Sequence, residues 1–246
     1  MNVTKNPSNN TYLSIIIPAH NEAERIETTL KNYAKFFSVY RKNNFEILVI
    51  LNGCTDNTES VVSKYQKQYP EITYYTFKNK LGKGGAIIEG FKLAKGNLVG
   101  FVDADYMIDE NNTNKVLKNL ENCDLSIGMR LDDKSKLSDD RPFARIIISK
   151  LIKLLTKKTL RLRYTDTQCP AKFFKKDKLD LILPEITTTS WAFDIDLLVL
   201  AEKHRLIIKE TAISWKHAKG SKVQIILDLP QEIKNFFHIL FKRLRN

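Results

Sequence analysis

The run Asn97-Leu98-Val99-Gly100-Phe101-Val102-Asp103-Ala104-Asp105 decides the fold. Its apolar stretch lacks polar alternation, which predicts a strand buried on both faces, as in parallel sheets. It stops at two carboxylates two positions apart. Working back towards the N-terminus, two earlier runs read the same way, Leu13 to Ile17 closed by Pro18 and Phe45 to Leu51 closed by Asn52-Gly53, and Ile72 to Phe77 reads as a further strand. Helical stretches separate them, from about Glu22 to Tyr40, from a cap at Thr55 or Asp56 to about Gln68, and from Gly82 to Ala94. Residues 1–105 thus alternate β-α-β-α-β-α-β, which predicts an α/β fold with an open, mostly parallel sheet and helices on both faces. Such sheets bind ligands at the carboxyl ends of their strands. The polar clusters fall at those ends: His20-Asn21-Glu22, Asn52 to Asp56, and Asp103-Ala104-Asp105.

The second half is less regular. Asp132 to Asp140 reads as a mobile polar loop, residues 143–158 as a helix, and 164–174 as extended chain. Ser190 to His204 reads as a helix and Leu206 to Ile213 as a strand. From Val223 the pattern is helical, with an interruption expected near Pro230.

The 246 residues, 43% of them apolar, suffice for one large α/β domain or two small ones. Forty Lys and Arg against 28 Asp and Glu give a formal charge of +12. Such a surface suits nucleic acid, an anionic membrane or phosphorylated substrates, and charge alone does not choose. Three scattered cysteines, Cys54, Cys123 and Cys169, with no CxxC pair, argue against a disulfide framework or structural zinc and fit a reduced cytosolic setting. Residues 1–11 read as a flexible tail without the apolar core of a signal peptide. No stretch reaches the roughly 18 apolar residues of a membrane span, so a membrane role is expected to be peripheral.

Asp103 and Asp105 can together hold a hard divalent cation, Mg²⁺ or Mn²⁺, that neutralises a diphosphate leaving group. A bare pair of this kind more often marks a solvated turn; its place at the end of the fourth strand reverses that balance in favour of the metal reading. Leu81-Gly82-Lys83-Gly84-Gly85 precedes a helix, where glycines let backbone N–H groups approach an anion and Lys83 adds charge. It matches neither the P-loop nor the dinucleotide fingerprint, and a tight turn with a solvated lysine remains open.

The segments Ile17-Pro18-Ala19-His20-Asn21-Glu22, Asn52-Gly53-Cys54-Thr55-Asp56-Asn57-Thr58, Asn79 to Ala86 and Val102 to Asp105 occur in this order. Further on come Gly128-Met129-Arg130, Asp166-Thr167-Gln168-Cys169, Lys172-Phe173-Phe174, Trp191-Ala192-Phe193-Asp194 and Gly220-Ser221-Lys222. Together they resemble family 2 glycosyltransferases of the GT-A fold, in the branch of dolichyl-phosphate glucosyltransferases with dolichyl-phosphate mannose synthases close by. The resemblance covers about residues 12–225 and leaves 226–246 as a C-terminal amphipathic, membrane-associating helix. It implies a UDP- or GDP-sugar donor, a polyprenyl-phosphate acceptor and a single inverting transfer of one hexose, glucose favoured. It implies that Pro18, His20 and Glu22 line the nucleotide pocket, that Asn52 contacts base or ribose, and that Asp103 and Asp105 hold ribose, metal and diphosphate. Lys83 and Lys222 would bind the donor, with Lys222 closing over the diphosphate. Arg130 and Arg145 would bind phosphate, and Asp166 would sit beside the reacting sugar. Asp105, Arg130 and Asp166 are thus the candidate catalytic residues.

The chain departs from the pattern in three places. Leu51-Asn52 stands where two acidic residues are common, Met107 where mannose synthases carry Gln, and Pro170 where Gly follows the Thr-Gln-Cys segment. The Q-x-x-R-W pattern of processive synthases is missing, which fits one sugar per acceptor.

Residues 145–163 carry seven basic residues and no acidic one among an apolar set. Near the C-terminus Ile233, Phe236, Phe237, Leu240 and Leu244 share a helical face, with Lys234, Lys242, Arg243 and Arg245 elsewhere. Both predict interfacial binding to an anionic membrane, on its cytoplasmic face. Truncation after about residue 230 is then expected to weaken vesicle binding more than donor binding. Two rivals share the fold. A transferase acting on a soluble, protein or polysaccharide acceptor would not bind vesicles, and a sugar nucleotidyltransferase wants a basic Gly-rich loop after the first strand. No nucleic-acid motif is present, so nucleic acid is not an expected partner.

Overall fold

The computed structural model describes residues 12–42, 44–131, 159–190, 192–215 and 225–244. The expected alternation forms at the N-terminal end: β1 (Leu13–Ala19), α1 (Ile26–Tyr40), β2 (Phe45–Asn52), α2 (Thr58–Gln68), β3 (Ile72–Phe77), α3 (Gly82–Leu93) and β4 (Leu98–Phe101). Then follow α4 (Glu110–Lys118), β5 (Leu125–Arg130), β6 (Lys172–Lys175), α5 (Lys176–Ile182), α6 (Phe193–Lys203), β7 (Ile208–Ile213) and α7 (Ile225–Leu244). The sheet order is β3-β2-β1-β4-β6-β5-β7. Every pairing is parallel except those of β6, which runs antiparallel to both β4 and β5.

Successive residues of a strand face opposite ways, so β1 feeds two cores. Ile15 and Ile17 join α1 on one face; Ile16 joins α3 and α6 on the other. Helix α1 turns Ile26, Leu30, Tyr33, Ala34 and Phe37 inward at helical spacing. It starts at Ile26 rather than Glu22 because residues 20–25 form a loop, with Asn21 in the left-handed region. The cap region of α2 is held by Asp56, whose Oδ1 accepts from the Thr58 N–H and hydroxyl.

The second half corrects several expectations. Residues 160–171 are irregular, and only Lys172–Lys175 forms a strand. Helix α7 continues through Pro230. It is also not a free appendage: Ile239 is fully buried, and Phe236 and Leu240 pack on the core. Lys242 and Arg243, expected to face headgroups, instead pair with Asp196 at 3.0 Å and Glu202 at 2.7 Å. Truncation after residue 230 would therefore open the core, and cannot isolate a membrane contribution. Residues 1–11, the loop at 132–140, the helix expected at 143–158, Arg145 and Lys222 lie outside the described residues.

Asp196 is fully buried and accepts from the backbone and hydroxyl of both Thr187 and Thr188, as well as from Lys242. Asp196→Ala is expected to cost about 3 kcal/mol, because the buried Thr188 donors and the partly buried Lys242 ammonium lose a charged acceptor. Denaturant unfolding reads this as a lower midpoint at unchanged slope.

Candidate functional site

The site lies where the sheet opens between β1 and β4. β1 stays paired with β2 up to Ala19, but its register with β4 stops at Ile16 opposite Phe101, followed only by Val102 N–H donating to the Ile16 carbonyl at 3.0 Å. Alternation puts the Pro18 nitrogen on that same β4 side, beyond the end of the ladder, so its missing N–H is not needed. This is the topological switch point of an open α/β sheet. His20-Asn21-Glu22 leaves one lip and Asp103-Ala104-Asp105 the other.

On the β4 lip, Lys83 Nζ meets both oxygens of Asp103, at 2.7 and 2.9 Å. Burial disfavours the Lys83 charge, but the carboxylates of Asp103 and then Asp194 hold its pKa above the ordinary lysine value. Asp105 accepts the Met107 N–H at 3.2 Å. Burial, and next the charge of Asp103, push its carboxyl up to about 6. An under-compensated carboxylate beside a second one is what a divalent cation neutralises. No cluster of three or more His, Cys, Asp or Glu side chains suited to a metal occurs among the described residues. Mg²⁺ sites commonly need only one or two carboxylates, with substrate phosphate completing the shell. The pair therefore fits such an ion.

The glycines of the 81–85 loop serve packing. Gly82 has φ +78°, and a Cβ there would lie 2.4 Å from the Thr189 carbonyl oxygen; one on Gly84 would lie 2.4 Å from Phe193 Cβ. The Gly85 N–H donates to Thr189 O at 3.0 Å, so that amide faces the 189–193 segment. Asn52 is 4% exposed and spends its amide on the same loop, accepting from Leu81 N–H at 2.6 Å and donating to Gly82 O at 3.1 Å. His20 Nδ1 lies 2.7 Å from the Asn52 carbonyl, an acceptor only, so Nδ1 carries the proton. Glu22 grips Arg25 through two 2.7 Å bonds, and the Arg25 charge reaches Asp105.

Further along the sheet, Arg130 ends β5 and meets Asp166 as a fork, Nε to Oδ2 at 2.6 Å and Nη2 to Oδ1 at 2.8 Å. The Trp215 ring lies 5.1 Å from the guanidinium carbon. Asp166 is 5% exposed. Burial works against its charge, but Arg130 holds the carboxyl below the usual range. Glu210 on β7 fixes the loop by accepting from Thr165 N–H at 2.7 Å and Asp166 N–H at 3.2 Å.

Two buried residues escaped the sequence reading as site components. Lys172, fully buried on β6, bonds Asp194 at 2.5 Å and the Cys169 carbonyl at 2.8 Å. The available signal was a lysine inside an otherwise apolar strand.

A mostly parallel sheet opening over a carboxylate pair at its switch point is the architecture of the open α/β class, in which ligands bind at the carboxyl ends of the strands. Residues 14–183 match the model of glycosyl transferase family 2, and the chain belongs to that family. It is 32% identical over 254 residues to the dolichyl-phosphate beta-glucosyltransferase of Dictyostelium discoideum, covering 98% of this chain and 77% of the relative. With the enzyme of the same name from Saccharomyces cerevisiae it shares 28% identity, over 88% of this chain and 70% of the relative. Among solved structures, glucosyl-3-phosphoglycerate synthase of Mycobacterium tuberculosis superposes with a TM-score of 0.71 at 14% identity, over 95% of this chain and 80% of that one. Mannosyl-3-phosphoglycerate synthase of Rubrobacter xylanophilus gives 0.70 at 14%, over 96% and 74%. These likenesses show the GT-A fold.

Proposed function

We propose that this chain moves one hexose, glucose favoured, from a nucleoside-diphosphate sugar to a polyprenyl (dolichyl) phosphate, with inversion at the anomeric carbon. The observation that carries the donor half is the Asp103/Asp105 pair at the switch point. The names of the relatives support the dolichyl-phosphate half.

Pro18, His20 and Glu22 lie on the β1 lip, where a nucleotide would enter. Asn52 holds the loop that carries Lys83, so its part is to place Lys83. When bound at Asp103 and Asp105, Mg²⁺ or Mn²⁺ would supply charge neutralisation for a departing diphosphate. One solved relative by fold is described with Mn²⁺ and UDP, in keeping with such an ion. Arg130 offers a guanidinium for the acceptor phosphate, Lys222 is assigned to the donor on its motif alone, and Arg145 is assigned to the acceptor phosphate at the start of the basic stretch 145–163. A phosphate acceptor is already anionic near neutral pH, so no strong general base is needed. Asp166, held ionised by Arg130, is a weak base and suits orienting the sugar or the Arg130 fork. The product should carry the anomer opposite to the donor's, and dolichyl phosphate should outcompete soluble acceptors. A retained anomer, or product only on soluble acceptors, would contradict the reading.

We assign α7 to a peripheral contact with the cytoplasmic face of the membrane. No helix among the described residues is long and apolar enough to cross a bilayer. Ile233, Phe237, Phe241 and Leu244, at i, i+4, i+8 and i+11, are 49%, 51%, 62% and 70% exposed, while the opposite face is anchored in the core. Such a stripe, with Lys234 and His238 exposed beside it, suits the headgroup boundary. Phe237→Glu/Phe241→Glu is expected to weaken binding to anionic vesicles about tenfold or more, with UDP or GDP affinity unchanged. Unchanged vesicle binding would remove α7 from the interface.

A further inference from the structure

Lys172 is a motif residue that the proposed chemistry leaves without work. It lies on β6 opposite Phe101 of β4 and Ile127 of β5, in the middle of the sheet. Its ammonium sits 5.7 Å from the Phe101 ring centre and has no exposure to water. Its partners lead in two directions. The Cys169 carbonyl, at 2.8 Å, belongs to the loop that carries Asp166 three residues earlier. Asp194, at 2.5 Å, belongs to the first turn of α6, next to Phe193, against which Gly84 of the Lys83 loop packs. The charge of Asp194 is felt at Lys83, and that of Lys172 at Asp166.

A buried ion pair contributes little net stability over an apolar pair of the same volume. Its ammonium bonds do fix directions. Here they tie the two halves of the site to one point, with Arg130–Asp166 on one side and Lys83–Asp103 on the other. We propose that Lys172 is a positioning residue, which through Asp194 and the Cys169 carbonyl sets the Lys83–Asp103 pair and the Arg130–Asp166 fork at a fixed separation. The inference rests on the donor reading of Asp103 given above.

The test is the double variant Lys172→Met/Asp194→Leu, compared with wild type by thermal melting, by Mn²⁺-dependent binding of UDP and GDP, and by turnover. Removing both charges should leave the melting temperature within about 3 °C. Outer-shell losses of this kind run to about 10–100-fold, so nucleotide affinity should fall about tenfold and turnover about 100-fold. Lys172→Arg, which keeps the charge, should recover part of both. A double variant that melts like wild type, binds nucleotide unchanged and turns over within about threefold would overturn the proposal. So would one that fails to fold, since the pair would then be a stability element. Nucleotide binding does not involve the acceptor. A wild type that binds UDP or GDP yet glycosylates no lipid would defeat the acceptor reading while the binding comparison still decides this one.

Discussion

Asp105→Asn is expected to lower sugar transfer about 10³-fold or more, while leaving the metal-free protein at least as stable as wild type at pH 7. The activity loss follows from removing one of two carboxylates that would hold a cation contributing several kcal/mol at the transition state. The stability effect follows from the carboxyl's own environment. Its pKa is raised from 3.8 to about 6 by burial and by Asp103, so the folded state favours the protonated form. The stability this gives is fully present below about pH 4 and is lost as pH rises through about 6, by up to about 3 kcal/mol. Asn cannot ionise and escapes that loss. Chemical denaturation in chelator at pH 4 and pH 7 measures both ends: the variant's advantage should be near zero at the first and largest at the second. An advantage that shrank with rising pH would show Asp105 to be stabilised as a carboxylate, against the reading of the pair as under-compensated.

Arg130→Met carries the second large effect, in both activity and stability. Asp166 is 5% exposed and takes both fork bonds from Arg130. Without them a buried carboxylate is left poorly paired, at a cost of about 3–5 kcal/mol. Turnover should fall about 100-fold or more as the cation proposed for phosphate and the orientation of Asp166 go together. Arg130→Lys separates the two effects. It restores charge but not the bidentate fork, so it should recover much of the stability and little of the turnover. Near-wild-type turnover in Arg130→Lys would reduce the residue to a point charge.

The first half of the fold was legible because β1, β2 and β4 are apolar runs buried on both faces, while β3, only partly buried beyond Ile72, is a short run of β-branched and aromatic residues. Ile72–Phe77 forms where the sequence placed it, and the other three strands agree within a residue or two. Three elements of the second half gave no such signal. β5 contains Ser126 and Gly128, β6 is four residues long with lysine at both ends, and α5 is seven residues long. Pro230 reads as a break, yet α7 runs from Ile225 through it to Leu244, its later turns being held by the packing of Phe236, Ile239 and Leu240 on the core.

The site was legible as positions and not as pairings. Asp103, Asp105 and His20 are visible because they follow apolar runs. That Lys83 is held by Asp103, 20 residues away, or Lys172 by Asp194, 22 away, depends on strand order and helix docking, which a local pattern does not encode. Asn52 shows the difference most clearly. Its place after β2 marks it for the ligand crevice, but its amide is consumed by the neighbouring loop.

The most direct test is transfer of radiolabelled sugar from a panel of UDP- and GDP-sugars to dolichyl phosphate, with Mg²⁺ or Mn²⁺ and again with chelator. Label should pass into the lipid phase from one donor, a glucose donor being favoured, and should stop with chelator. Donor hydrolysis or a soluble product with no labelled lipid would contradict the polyprenyl-phosphate acceptor, and undiminished transfer in chelator would contradict the role given to Asp103 and Asp105.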